Sequence, residues 1–222
     1  MKRYSTDMIR WAAAGLTLVG VAACSSKPNL TDDFTSAGVR PPSGQCTVNP
    51  RSIADAVSIG SVDGKGACGI KNAWKVSAIG DVAFSTPARI RCQMVGATNS
   101  WIGKVVQPAA RSAFGERVVK LRIAASYACR GRDNRRGAKI SEHAFGNALD
   151  VSAFTLASGR VVEVEGGWKA GGKESAFLKR VHGRACGTFT TVLGPEANAA
   201  HRNHFHFDLG KHGRSGKGKY CR

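Results

Sequence analysis

The sequence predicts an α+β domain, an antiparallel sheet flanked by helices, over residues 45–222 of a 222-residue chain. Apolar and polar residues alternate with a period of two along residues 116–126 and 204–209, as in half-buried strands. A helical period runs through residues 87–100, 107–114 and 174–185. Hydrophobic residues make up 42 % of the chain, enough for one sizeable core, and no internal repeat is visible.

In chain order, residues 87–100 read as a first helix and residues 107–114 as a second. Pro108 falls in the first turn of the second, where its missing N–H leaves nothing unpaired. Residues 116–126 form a strand leading into Tyr127-Ala128-Cys129-Arg130, and residues 131–139, rich in Gly, Arg and Asn, form a loop. Residues 150–154 and 160–164 flank Ala157-Ser158-Gly159 as a hairpin. A helix over 174–185 and strands over 189–193 and 204–209 complete the pattern. Helices before and between antiparallel strands give an α+β domain.

Two short segments carry the chemistry. Ser141-Glu142-His143-Ala144-Phe145-Gly146-Asn147-Ala148-Leu149-Asp150 holds a histidine and an aspartate on either side of a glycine that permits a tight turn. His204-Phe205-His206 lies 54 residues after Asp150 and places both imidazoles on one strand face, opposite the phenylalanines. Asp150, alternating with Leu149 and Val151, points away from the apolar side of its own strand. Two imidazoles and a carboxylate fill three corners of a tetrahedral zinc site and leave the fourth for water, as in hydrolytic rather than structural zinc sites. From spacing alone, both His204 and His206 can meet one ion, or one binds while the other works beside it.

These motifs resemble the LAS superfamily of zinc peptidases, which includes lysostaphin-type enzymes, D-alanyl-D-alanine carboxypeptidases and the zinc domain of sonic hedgehog. More closely, residues 141–154, Thr191-Val192-Leu193-Gly194-Pro195 and His201-Arg202-Asn203-His204-Phe205-His206 resemble the bacterial extensin-like C-terminal domain family. The resemblance implies an LAS-peptidase-like fold, with His143, Asp150 and His206 as ligands of Zn2+ and His204 as the catalytic histidine. Related dipeptidases carry a glutamate three residues before the last ligand; here that position is Asn203, so His204 takes the role of base or oxyanion donor. Glu142 and Glu196 are alternative bases. Arginines bind substrate carboxylates or polarise carbonyls in related peptidases, which makes Arg130 and Arg132 candidates for substrate binding, against a plain reading as part of a basic loop with Arg135 and Arg136. Ser141 and His201 are candidates for support behind the ligands, and His201 reads equally well as loop.

The first 23 residues read as a signal peptide: Lys2, Arg3 and Arg10 precede an apolar run too short to span a bilayer. Val21-Ala22-Ala23-Cys24 resembles the bacterial lipobox, which implies cleavage before Cys24 and its lipidation, and residues 24–44 read as a tether. Six further cysteines in an exported protein suggest three disulfides, expected as Cys46 with Cys68, Cys92 with Cys129, and Cys186 with Cys221. No Cys-x-x-Cys pair offers a thiolate zinc site.

The formal charge is +18, and only three basic residues fall in the leader, so the domain keeps most of the excess. Such a charge favours polyanions. Outside the cytoplasm, nucleic acid is not expected as a partner; peptidoglycan carboxylates, lipopolysaccharide phosphates or acidic wall polymers fit. The expectation is therefore an exported, periplasmic lipoprotein, held at the outer membrane by its lipid anchor. Its function would be that of a zinc-dependent peptidoglycan hydrolase, first a D,D-endopeptidase of stem-peptide cross-links. A D,D- or L,D-carboxypeptidase, or a non-catalytic zinc-containing wall-binding lipoprotein, are the alternatives.

Overall fold

The computed structural model describes Cys46 and residues 49–222 apart from position 136. The expected leader (1–23), the lipidation site Cys24 and the tether (24–44) lie outside the described residues. A short helix α1 (Pro50–Ile53), capped by the Asn49 side chain, opens into three long strands, β1 (Ala54–Asp63), β2 (Gly69–Ile79) and β3 (Val82–Arg91). Helix α2 (Cys92–Trp101), a π-helical turn (Ile102–Val106) and α3 (Gln107–Phe114) follow without a break. The chain then adds β4 (Val118–Ala125), β5 (Ala148–Leu156), β6 (Val161–Glu163), the single turn α4 (Val164–Gly167), α5 (Gly172–Ala185), β7 (Thr191–Leu193), β8 (Phe205–Asp208) and β9 (Tyr220–Cys221).

Among the described residues these strands form one sheet in the order β1-β2-β3-β4-β5-β8-β7-β9, with β6 also paired to β5. The sheet is largely antiparallel, as the sequence predicts. Two pairs depart from that: β3 with β4 and β7 with β9 run parallel. In the first case α2 and α3 carry the chain back across the sheet, which turns it by the crossover that parallel strands require.

The register explains the two faces. Val76 lies opposite Ala88, Leu121 opposite Phe154, Leu149 opposite Phe207 and Val151 opposite Phe205, all buried on the side covered by helices. There they join Met94, Trp101, Phe177, Leu178 and Val181 from α2 and α5 in one core. Trp101 packs against Phe154, Phe189 and Phe207, and its indole N–H donates to the Val181 carbonyl at 3.1 Å. Each such large apolar side chain contributes roughly 1.5–3 kcal/mol through burial. On the other face, Asp150 stands opposite His206.

Two expectations need correction. The helix over 87–100 begins only at Cys92, because Ala88 and Ile90 alternate into the core as the end of β3. Pro87 sits at the register shift between β2 and β3, where the ladder needs no N–H from it. The disulfides are Cys46–Cys92, Cys68–Cys129 and Cys186–Cys221, so only the last follows the expected pairing. Strands β1 to β3 account for the exchange: they bring the β1–β2 turn beside the end of β4, so Cys68 meets Cys129, and leave Cys92 at the start of α2 for Cys46.

Candidate metal centre

Ser141 shapes the first ligand. It precedes a 3-10 turn (Glu142–Phe145), and its hydroxyl accepts from the His143 N–H at 3.4 Å. The turn closes on Gly146 at φ 59°, where a side chain would also strike Ile70, 2.6 Å from the position of a Cβ. Glycine is therefore required twice over at this corner. The chain then enters β5, which delivers Asp150, and β8 returns beside it with His206.

The three predicted ligands come together and are buried. His143 Nε2 lies 3.1 Å from Asp150 Oδ1 and 3.1 Å from His206 Nδ1; His206 Nδ1 lies 2.8 Å from Asp150 Oδ1. Donors at two corners of a zinc tetrahedron with bonds of 2.0–2.1 Å stand about 3.3 Å apart, so this spacing suits one small ion.

The outer ring nitrogens decide the proton inventory. His143 Nδ1 donates to the Ser126 carbonyl at 2.5 Å, and His206 Nε2 donates to Asp208 Oδ2 at 2.9 Å, both partners being acceptors. With those protons fixed outward, a ring in its neutral form turns a bare lone pair inward, toward the Asp150 carboxylate. Three such acceptors can close on one another only around a cation, either a metal ion or a proton carried by one of the rings. A His–Asp–His triad of this kind can hold a metal ion, with each imidazole oriented by an outer acceptor.

The titration of the group agrees. Burial opposes ionisation of Asp150, yet its close contacts with the His143 and His206 rings hold its carboxyl far below the usual range. Burial likewise opposes a charge on His206, but hydrogen bonds to Asp150 and Asp208 outweigh it and raise its pKa to about 9. Without a metal, a proton on Nδ1 is the cation that the site accepts. Burial is the largest influence on Asp208 too, and the His206 ring beside it nonetheless keeps the carboxyl low.

His204 stands just before β8, half-buried, with Nε2 3.5 Å from Asp150 Oδ2. Its Nδ1 donates to Asn203 Oδ1 at 2.8 Å, leaving Nε2 as the free base. Burial, with His206, His143 and Arg130 adding to it, lowers its pKa against the pull of Asp150, so the ring is neutral near pH 7. His201, on a 3-10 turn (Ala199–His201), is buried against the rings of His204 and His206 at centroid distances of 5.3 and 5.7 Å. Its Nδ1 donates to Asn198 Oδ1 at 2.8 Å, and burial depresses its pKa to about 4. It is a neutral wall of the site.

All of these line a cleft of about 390 Å³, together with Arg130, Arg132, His212 and Tyr220. Glu142 also lines it, its carboxylate engaged by Asn147 Nδ2 at 2.6 Å. Glu196 does not; it accepts from the Trp168 indole at 3.1 Å.

Two participants escaped the sequence reading. Ser126 acts through its main-chain carbonyl, which no side-chain pattern reveals. Asp208 was legible: it continues the alternation of His204 and His206 and so shares their strand face. It also accepts from the Gly210 N–H at 2.8 Å and from the Thr191 hydroxyl, which in turn accepts from His212 Nε2 at 2.7 Å.

The fold and site together define an α+β sheet protein with a buried His–Asp–His donor set at the foot of a polar cleft. The chain belongs to the family described as extensin-like protein C-terminus, whose model matches residues 45–222. Comparison with curated proteins and with solved structures gave no match.

Proposed function

We propose that this chain is a zinc-dependent hydrolase of bacterial wall peptides, cutting an amide in the stem-peptide cross-links of peptidoglycan as a D,D-endopeptidase. The observation that carries the reading is the convergence of three inward-facing acceptor atoms beside a neutral imidazole that takes no part in holding them. His143, Asp150 and His206 would hold Zn2+, which when bound supplies a Lewis acid and lowers the pKa of a water molecule to about 7. The order of these ligands in the chain is that of the LAS peptidases.

The protein's own groups then have distinct tasks. His204 Nε2 takes the proton of the attacking water, and from the same atom the leaving amine is protonated as the bond breaks. Asn203 fixes the ring so that Nε2, not Nδ1, faces the cleft. Asp150 stabilises the imidazolium that forms transiently. Arg130 and Arg132 offer paired donors to a substrate carboxylate, which peptide stems supply. His201 closes the back of the site and keeps water from the far side of His204. An exported, lipid-anchored protein would meet this substrate at the envelope surface.

Incubation of zinc-loaded full-length protein with purified peptidoglycan, followed by chromatography of released muropeptides, tests the reading. Cross-linked dimers should fall and monomers rise, while His204→Ala should slow release by about 10²–10⁴-fold with its zinc retained. Loss of terminal D-alanine instead would indicate a carboxypeptidase. No product from fully loaded wild type would leave a wall-binding protein in place of an enzyme.

A further inference from the structure

The sheet face that bears Asp150 continues away from the metal centre across β4, β3 and β2, where basic side chains stand among small residues such as Ala73 and Ala83. Lys75 on β2 stands directly opposite Arg89 on β3, both exposed, and Arg91 follows two residues on along the same face. Among the described residues no carboxylate lies within ion-pair distance of Lys75 or Arg89. Like charges directly opposite across strands destabilise a sheet. Oppositely charged residues would serve the fold better here, so the pair has the signature of a site kept for an anion.

Its position ties it to the metal centre. The Arg89 N–H donates to the Ser126 hydroxyl at 3.1 Å, and the carbonyl of that same serine orients His143. The Arg91 N–H donates to the Gly146 carbonyl at 2.9 Å, at the end of the turn that carries His143. The Arg89 guanidinium lies 5.3 Å from the centroid of the Tyr127 ring, which holds it over the face, three residues before Arg130 at the cleft wall.

We propose that Lys75, Arg89 and Arg91 form a docking strip for a carboxylate-bearing polymer, which the strip grips at one repeat while a neighbouring repeat enters the metal cleft. Charge complementarity selects the occupant: a row of separate cations on a flat face suits carboxylates spaced along a strand, as on peptide stems. The identity of that polymer as peptidoglycan rests on the proposed function; the strip itself does not.

Co-sedimentation of full-length protein with insoluble peptidoglycan tests it. Lys75→Glu/Arg89→Glu should weaken binding tenfold or more, whereas Lys104→Glu/Arg111→Glu, an equal charge change on the exposed side of the helical layer, should change it less than twofold. Lys75→Gln should weaken binding yet raise the denaturation midpoint, a combination that a merely structural lysine would not give. Cleavage of a small soluble muropeptide should be unchanged in all three. Equal loss in both double variants, wild-type binding in Lys75→Glu/Arg89→Glu, or use of the strip only by anionic phospholipid vesicles would overturn the proposal. Wild type that sediments through the strip but releases no product would leave the strip standing and remove the hydrolase reading.

Discussion

Asp208 touches no substrate, yet it sets which nitrogen of His206 is free. Asp208→Asn should therefore weaken Zn2+ binding by about 10–100-fold, read by competition with a chromogenic chelator, while the fold stays intact by circular dichroism. An unchanged dissociation constant would mean that β8 alone orients the ring. The same imidazole predicts a pH dependence. With its pKa raised to about 9, His206 is protonated at neutral pH in the metal-free protein, and Zn2+ must displace that proton. Zn2+ affinity should accordingly rise about tenfold per pH unit between pH 7 and 9 and level off above, with about one proton released per ion at pH 7. Calorimetry in buffers of different ionisation heat measures that proton; none released would contradict the assignment. At this scale the sequence was most informative, because His143, Asp150, His204 and His206 occupy a turn and two adjoining strand segments whose side-chain directions follow from local periodicity. What local periodicity cannot show is a partner supplied by the main chain, as Ser126 does.

Elements were legible in proportion to how regularly they alternate. Strand β4 buries one clean face, β8 alternates imidazole and phenyl rings although both of its faces are buried, and α5 carries a helical stripe. Strand β1 has three register shifts against β2 and an irregular burial pattern, so nothing in its composition announces an edge strand of ten residues. The missed β1–β3 unit also explains the mispaired cysteines, since disulfide partners are set by which strands adjoin. One staple was foreseeable because the tail has few places to go: Cys186 follows α5, and Cys221 lies on β9 alongside β7, with Lys219 Nζ reaching the Cys186 carbonyl. Cys186→Ser/Cys221→Ser should lower stability by about 2–4 kcal/mol in urea denaturation. Zn2+ affinity should change less than threefold, because the ligands sit on β5, β8 and the 142–145 turn. A large loss of affinity would show that the tail holds the metal centre in shape.

At the scale of the whole molecule, the fold class and the largely antiparallel character followed from the sequence, while the parallel β3–β4 pair did not. Two strands joined through two helices can close a sheet by a crossover or a longer return, and only packing decides. The net charge of +18 pointed to an anionic neighbourhood without saying where. The structure places part of that excess at the cleft, as Arg130 and Arg132, and part on the open sheet face, as Lys75 opposite Arg89.

Strand β5 is bordered on one edge by β4 and on the other by β6 and β8. Its central amides can therefore exchange with solvent deuterium only when the whole sheet comes apart, and Asp150 lies within that slowest-opening stretch. Cation release by local fraying is denied to such a strand. An ion held there should leave at the pace of side-chain rearrangement or of global unfolding, with nothing in between, and chelation should in turn lower the melting temperature of the entire domain rather than loosen one corner of it.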